Sequence, residues 1–144
     1  MTTYTIGFSR KPARTFFEML RDSGASRLVD VRLHNASQLA GFTKRDDLEY
    51  FLAELCDMDY VHELRLAPTK QLLDAYRKQA MGWEAYEYSF RDLMAERQVE
   101  QALPRELLDN AVLLCSEPSP RRCHRRVVVE YLAEHWGDLD VADL

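Results

Sequence analysis

The chain has 144 residues, enough for one domain with its own core, and a composition of 47% hydrophobic and 30% charged residues that excludes a disordered polymer. Twenty-four acids against nineteen Lys and Arg give a net charge of −5, which argues against a dedicated duplex-DNA or membrane-surface binder but leaves room for one local basic pocket. Three cysteines, Cys56, Cys115 and Cys123, read as reduced thiols and not as a disulfide framework. The opening MTTYTIGFSR shows no charged leader before an apolar stretch, and no apolar run approaches the ~20 residues of a membrane span. A cytoplasmic protein without membrane contact is the expectation.

In chain order, Tyr4 to Phe8 is a short β-rich run ended by the polar Ser9-Arg10-Lys11-Pro12. Ala13, Phe16, Phe17 and Leu20 recur at helical spacing, predicting a helix over 13–23 that Gly24 stops. Leu28 to Leu33 reads as a second strand. Thr43 with Asp46 resembles a capping box that opens a helix with Leu48, Phe51, Leu52 and Leu55 on its inner face. A third strand is expected over 59–64. Helical stripes follow, first Leu72, Leu73 and Tyr76, then Trp83, Tyr86, Phe90, Leu93 and Arg97, and aromatic stripes of this spacing are usually core. Pro104 starts a short helix through Leu108. Ala111 to Cys115 is an apolar buried strand; Val127, Val128, Tyr131, Leu132 and His135 mark the inner face of a last helix; residues 140–144 can add an edge strand. No repeat or linker interrupts this alternation, so 1–144 is read as a single three-layer α/β domain. Its sheet is mostly parallel with helices on both faces, Rossmann-like or rhodanese-like.

Ligands of such sheets bind beyond the C-terminal strand ends. Those ends carry Ser9 and Arg10, Arg32, His62 and Glu63, and Cys115 and Glu117. The densest signal is Leu114-Cys115-Ser116-Glu117-Pro118-Ser119-Pro120-Arg121-Arg122-Cys123-His124-Arg125-Arg126, with four of the fifteen arginines in six positions. At a helix start, backbone N–H groups and guanidinium forks both favour an anion. The alternative is that these arginines pair with surface acids. Cys123 beside His124 and Arg125 has the neighbours that lower a thiol pKa, so a nucleophilic role is chemically open, as is a packing role. Cys115 to Arg121 fits Cys-x5-Arg, the phosphate loop of tyrosine phosphatases. Pro118 and Pro120, however, remove two backbone donors, and Glu117 sets a carboxylate against the anion. The same objections weigh against a rhodanese-like loop, although Leu-Val-Asp-Val-Arg resembles the rhodanese strand. Cys115, Glu117, Cys123 and His124 lack the Cys-x2-Cys spacing of zinc sites, and no metal is expected. Asp30 and Arg32 flank Val31 and share one side of their strand, as a pair or as pocket lining. Glu117 can hold Arg121 or Arg125. His34, Asn35, Ser37 and Gln38 follow at the same sheet edge, and of His62 and Glu63 at most one faces the cleft.

Thr5-Ile6-Gly7-Phe8-Ser9, Leu28-Val29-Asp30-Val31-Arg32, Tyr60-Val61-His62 and Leu114-Cys115-Ser116-Glu117 with Cys123-His124-Arg125 together resemble the domain of unknown function 488 family, in order over nearly the whole chain. The resemblance implies a small bacterial or archaeal cytoplasmic α/β protein. It marks Gly7, Ser9, Asp30, Arg32, Cys115, Glu117, Cys123, His124 and Arg125 as site positions and leaves the reaction open. The chain departs from the family pattern at Phe8, where His is frequent, at Leu33 to Ser37 in place of a Pro- and Ser-rich stretch, and at Arg65-Leu66-Ala67-Pro68 in place of Gly-Gly.

The expected function is therefore a pocket for a small anionic ligand, such as a phosphate, a nucleotide or a nucleic-acid end, without a cofactor. It would be built from Ser9, Arg10, Asp30, Arg32, Cys115, Glu117, Arg121, His124 and Arg125. A thiol-dependent enzyme using Cys123, His124 and Arg125 is one alternative. A protein-interaction module using the aromatic helix from Trp83 to Arg97 is the other.

Overall fold

The alternating pattern folds as a parallel sheet because each strand is followed by a helix long enough to carry the chain back to the starting edge. A computed structural model describes residues 1–36, 41–116 and 122–144. Its elements are β1 (Thr2–Gly7), α1 (Ala13–Ser23), β2 (Arg27–Asp30), α2 (Arg45–Cys56), β3 (Asp59–His62), α3 (Lys70–Arg77), α4 (Trp83–Arg97), α5 (Val99–Ala102), β4 (Ala111–Cys115), α6 (His124–Trp136) and β5 (Asp140–Asp143). The five strands lie in the order β3-β2-β4-β1-β5 and every pair is parallel. β4 is thus inserted between β1 and β2, with Leu113 opposite Thr5 on one side and Val29 on the other.

The two faces of the sheet are separate cores. Ala111, Leu113 and Cys115 of β4 join Val29, Phe90, Met94, Val128 and Leu132 on the face covered by α3 to α6. Val112 and Leu114 join Ile6, Phe8, Phe16, Leu28 and Leu52 on the face covered by α1 and α2. This is the period-two alternation of a strand buried on both sides, and it makes the domain three-layered. Among the described residues, no helix is long and apolar enough to cross a membrane.

Several boundaries differ from expectation for identifiable reasons. β2 stops at Asp30, three residues early, because Asp30 Oδ1 accepts the Arg32 backbone N–H at 3.1 Å and turns the chain out of the ladder. β3 stops at His62, and Glu63 caps a following 3₁₀ turn through the Arg65 N–H. The capping box does not form: Lys44 is the N-cap of α2, and the Thr43 side chain is buried beside Arg32 instead. After Pro104 the helix is a single 3₁₀ turn, Arg105–Leu107. Leu55 is 52% exposed, while Met94, not Leu93, is the buried residue of α4. Gly24 does cap α1 in the left-handed region, at φ 73°.

Candidate functional site

The chain ends of β1, β2 and β4 are laced together beyond the sheet. Phe8 N donates to Cys115 O at 3.3 Å, Ser9 N to Ser116 O at 2.9 Å, and Val31 N to Leu114 O at 3.2 Å. Over these ends lies a cleft of about 460 Å³, within the size range of small-molecule sites. Its floor is Cys115, Cys123 and His124; Ser9, Arg32, Ser116 and Arg122 line it beside them, and Tyr76 and Arg77 of α3 with Tyr86 of α4 complete the lining.

The floor is built by the junction between β4 and α6. Cys115 ends the central strand, Cys123 is the extended N-cap residue of α6 (φ −138°), and His124 is its first helical residue. The change from extended to helical backbone at this point turns two adjacent side chains toward the same strand end. The Cys115 and Cys123 sulfurs lie 2.7 Å apart, and His124 Nδ1 is 3.4 Å from Cys115 Sγ. His124 Nε2–H donates to Val31 O at 2.8 Å, which leaves Nδ1 to face the sulfur. The imidazole is also packed on Phe90, with ring centroids 5.5 Å apart.

Burial pushes the Cys123 thiol well up, and the Cys115 sulfur beside it adds to the effect against the lowering influence of Arg125. This is opposite to the direction that the helix start and basic neighbours alone imply, because burial outweighs them. For His124, burial works to lower the pKa, but the Cys115 sulfur and the Val31 carbonyl outweigh it and raise the imidazole. The histidine thus serves Cys115 and not Cys123. Burial, followed by the two cysteines, also raises the Tyr86 hydroxyl.

The remaining sequence-selected residues divide clearly. Arg32 lines the cleft but its guanidinium is engaged: Nε and Nη2 each donate to Asp30 at 2.8 Å, and Nη2 also donates to Thr43 O at 2.8 Å. Asp30 is wholly buried beneath it and also accepts from Tyr60 Oη at 2.7 Å. Arg125 is wholly buried, with Nη1 3.9 Å from Cys123 Sγ, so it backs the floor and does not line the cleft. Arg10 is exposed at φ 62° and is absent from the lining. Glu117, Arg121, Ser37 and Gln38 lie outside the described residues. His34 lines the cleft, whereas Asn35 donates to Tyr60 Oη and His62 Nδ1. His62 Nε2–H donates to Arg32 O at 2.6 Å, and Glu63 is paired with Arg65. On the aromatic helix Tyr86 is buried and Trp83 is half-buried against it at 5.4 Å between rings, whereas Tyr88 is exposed.

The α3 residues of the lining are not among the positions expected from the sequence. Leu73, Tyr76 and Arg77 stand at i, i+3 and i+4, so they share a helix face, and this was the available signal. A second cleft of about 360 Å³ lies between α1 and α2, but of its charged residues Arg14 and Glu18 pair with each other and Arg21 pairs with Asp22, and the rest of its lining includes Phe17, Phe42, Phe51 and Leu55. It holds no reactive group.

A three-layer parallel α/β domain with a Cys-Cys-His cluster at the end of its central strand is thus the class that fold and site define. The chain belongs to the family described as Domain of unknown function DUF488, whose model matches residues 12–132, most of its length. No curated protein and no solved structure matches it.

Proposed function

We propose that the cleft over the ends of β1, β2 and β4 binds a small anionic ligand: a phosphate, a nucleotide or a nucleic-acid end. One observation carries the reading. In a chain of net charge −5, the described lining contains Arg32, Arg77 and Arg122, with His34 and His124, and not one carboxylate. Arg32 is neutralised by Asp30, so the working cations are Arg77 and Arg122, which have no ion-pair partner among the described residues. Exposed guanidiniums on a concave wall offer bidentate donors to an anion and concentrate it from solution. Tyr76 in the same lining supplies a ring face on which a base can stack.

The test is thermal melting with inorganic phosphate, AMP and a short 5′-phosphorylated oligonucleotide. A ligand that binds only the folded state stabilises by mass action, about 2.7 kcal/mol at a hundredfold excess over Kd. The melting temperature should rise with one of the three, and Arg77→Ala and Arg122→Ala should each blunt the rise. A flat melting temperature with all three rejects the reading.

Thiol chemistry is the second reading, favoured by the 3.4 Å contact between His124 Nδ1 and Cys115 Sγ. It moves the nucleophile from Cys123 to Cys115. Alkylation followed by mass spectrometry should then modify Cys115 before Cys123; the reverse order sinks it.

A further inference from the structure

We propose that Cys115 Sγ, Cys123 Sγ and His124 Nδ1 form a three-ligand site for a thiophilic divalent cation such as Zn²⁺, with the fourth coordination position open to the cleft. The three ligand atoms all lie within 4.8 Å of one another, on three buried side chains. Two sulfurs and one imidazole nitrogen are the donor set that a borderline-soft cation prefers, and three protein ligands with an open position are the pattern of catalytic zinc. The second shell is already in place. His124 donates Nε2–H to the Val31 carbonyl, the contact that fixes a metal-binding histidine with its other nitrogen toward the ion.

Cys-x7-Cys-His lacks the Cys-x2-Cys pairing of zinc sites, and it requires two adjacent residues to aim at one ion. The turn from the extended N-cap residue Cys123 into the first turn of α6 removes that objection. Loading requires one adjustment. The sulfurs are 2.7 Å apart, and around a tetrahedral ion with Zn–S of ~2.3 Å they stand ~3.7 Å apart, so they separate by ~1 Å. Cys123 sits at a helix end and has no side-chain cap bond to break in moving. The balance is simple: two S–H groups lose two protons to solvent, the two thiolates and the neutral imidazole bind M²⁺, and no electron is transferred.

This goes beyond the anion reading and does not depend on it, since the anion is held by Arg77 and Arg122 of the lining and the cation by the floor. The two meet at the open position, where an anionic ligand can complete the coordination.

Co²⁺ is the probe, because its thiolate charge-transfer absorption reports sulfur ligation directly. The full chain, reduced and free of metal, should bind one equivalent with that absorption, and Zn²⁺ should displace it. Cys115→Ser, Cys123→Ser and His124→Gln should each weaken binding by at least tenfold, whereas Cys56→Ser should leave it unchanged. A variant that fails to fold is replaced by a measurement on the wild type: Zn²⁺ should protect Cys115 and Cys123 from alkylation and leave Cys56 reactive. Absence of the thiolate band, or no protection of Cys115 and Cys123, overturns the proposal. Loss of phosphate binding in Arg77→Ala with Co²⁺ binding intact separates the fate of this site from that of the anion cleft.

Discussion

Asp30 and Arg32 form a closed, buried ion pair two residues apart: Nε to Oδ1 and Nη2 to Oδ2, each 2.8 Å, with both side chains almost without solvent contact. The pair terminates β2 and ties it to the turn before α2 through Thr43 O. Phe8, where the family pattern often has His, lies under the guanidinium with the ring centroid 5.3 Å from Arg32 Cζ. The Arg32 guanidinium is thus held at the edge of the cleft by Asp30 and the Thr43 carbonyl.

Breaking a buried pair by removing one partner leaves an uncompensated charge, which typically costs about 3–5 kcal/mol. Asp30→Asn should lower the unfolding free energy by about 3 kcal/mol or more in urea, because it strands the Arg32 guanidinium. Tyr60→Phe removes only one of several donors to Asp30, so it should cost about 1–2 kcal/mol. Equal effects of the two substitutions would show that the pair is not the element that holds this edge of the cleft.

Phe90 links the core to the floor of the site. It is fully buried in α4, with its ring 6.2 Å from Tyr86 and 5.5 Å from His124. Phe90→Ala should destabilise the protein by about 3–5 kcal/mol, and Phe90→Leu by about 1.5 kcal/mol or less, since truncation leaves a cavity that the sheet and α6 cannot close. The readout is the urea midpoint at unchanged m-value.

The frame of the domain was readable because its signals are local. The apolar run Ala111 to Cys115 can only be a strand buried on both faces, and Gly24 can take the left-handed cap that ends α1. The motif Cys123-His124 was likewise visible at a helix start. What escaped depends on contacts between distant segments. Thr43 looks like a cap until Arg32, eleven residues earlier, occupies its hydroxyl and carbonyl. Arg77 reaches the cleft only because α3 docks on the sheet after β3, which periodicity does not reveal. The thiol of Cys123 was read from its neighbours in the chain, whereas burial against Cys115 controls its titration. Two sulfurs eight residues apart meet because the N-cap residue of α6 sits against the end of β4.

Glu63 gives the protein an acid-sensitive element away from the site. Its carboxylate accepts from Arg65 Nε at 2.7 Å, from Nη2 at 2.9 Å and from the Arg65 backbone N–H at 3.2 Å. The Arg65 side-chain bonds hold the Glu63 pKa below its usual value, against the opposing effect of burial. A carboxyl depressed in the fold binds fewer protons there than in the unfolded chain, so stability rises with pH through this window. The contribution is complete above the unfolded value of about 4.3 and is lost as pH falls through the lower folded value. Arg65 is 47% exposed, so solvent screening keeps the effect to about 1 kcal/mol. Glu63→Gln retains an acceptor for the Arg65 N–H and loses the charge. It should therefore be about 1 kcal/mol less stable than the wild type at pH 7, with the gap closing as the pH is lowered below about 4. Urea unfolding of both proteins across this range measures it. A gap that stays constant down to the acid limit would assign the loss to packing and not to the ionised pair.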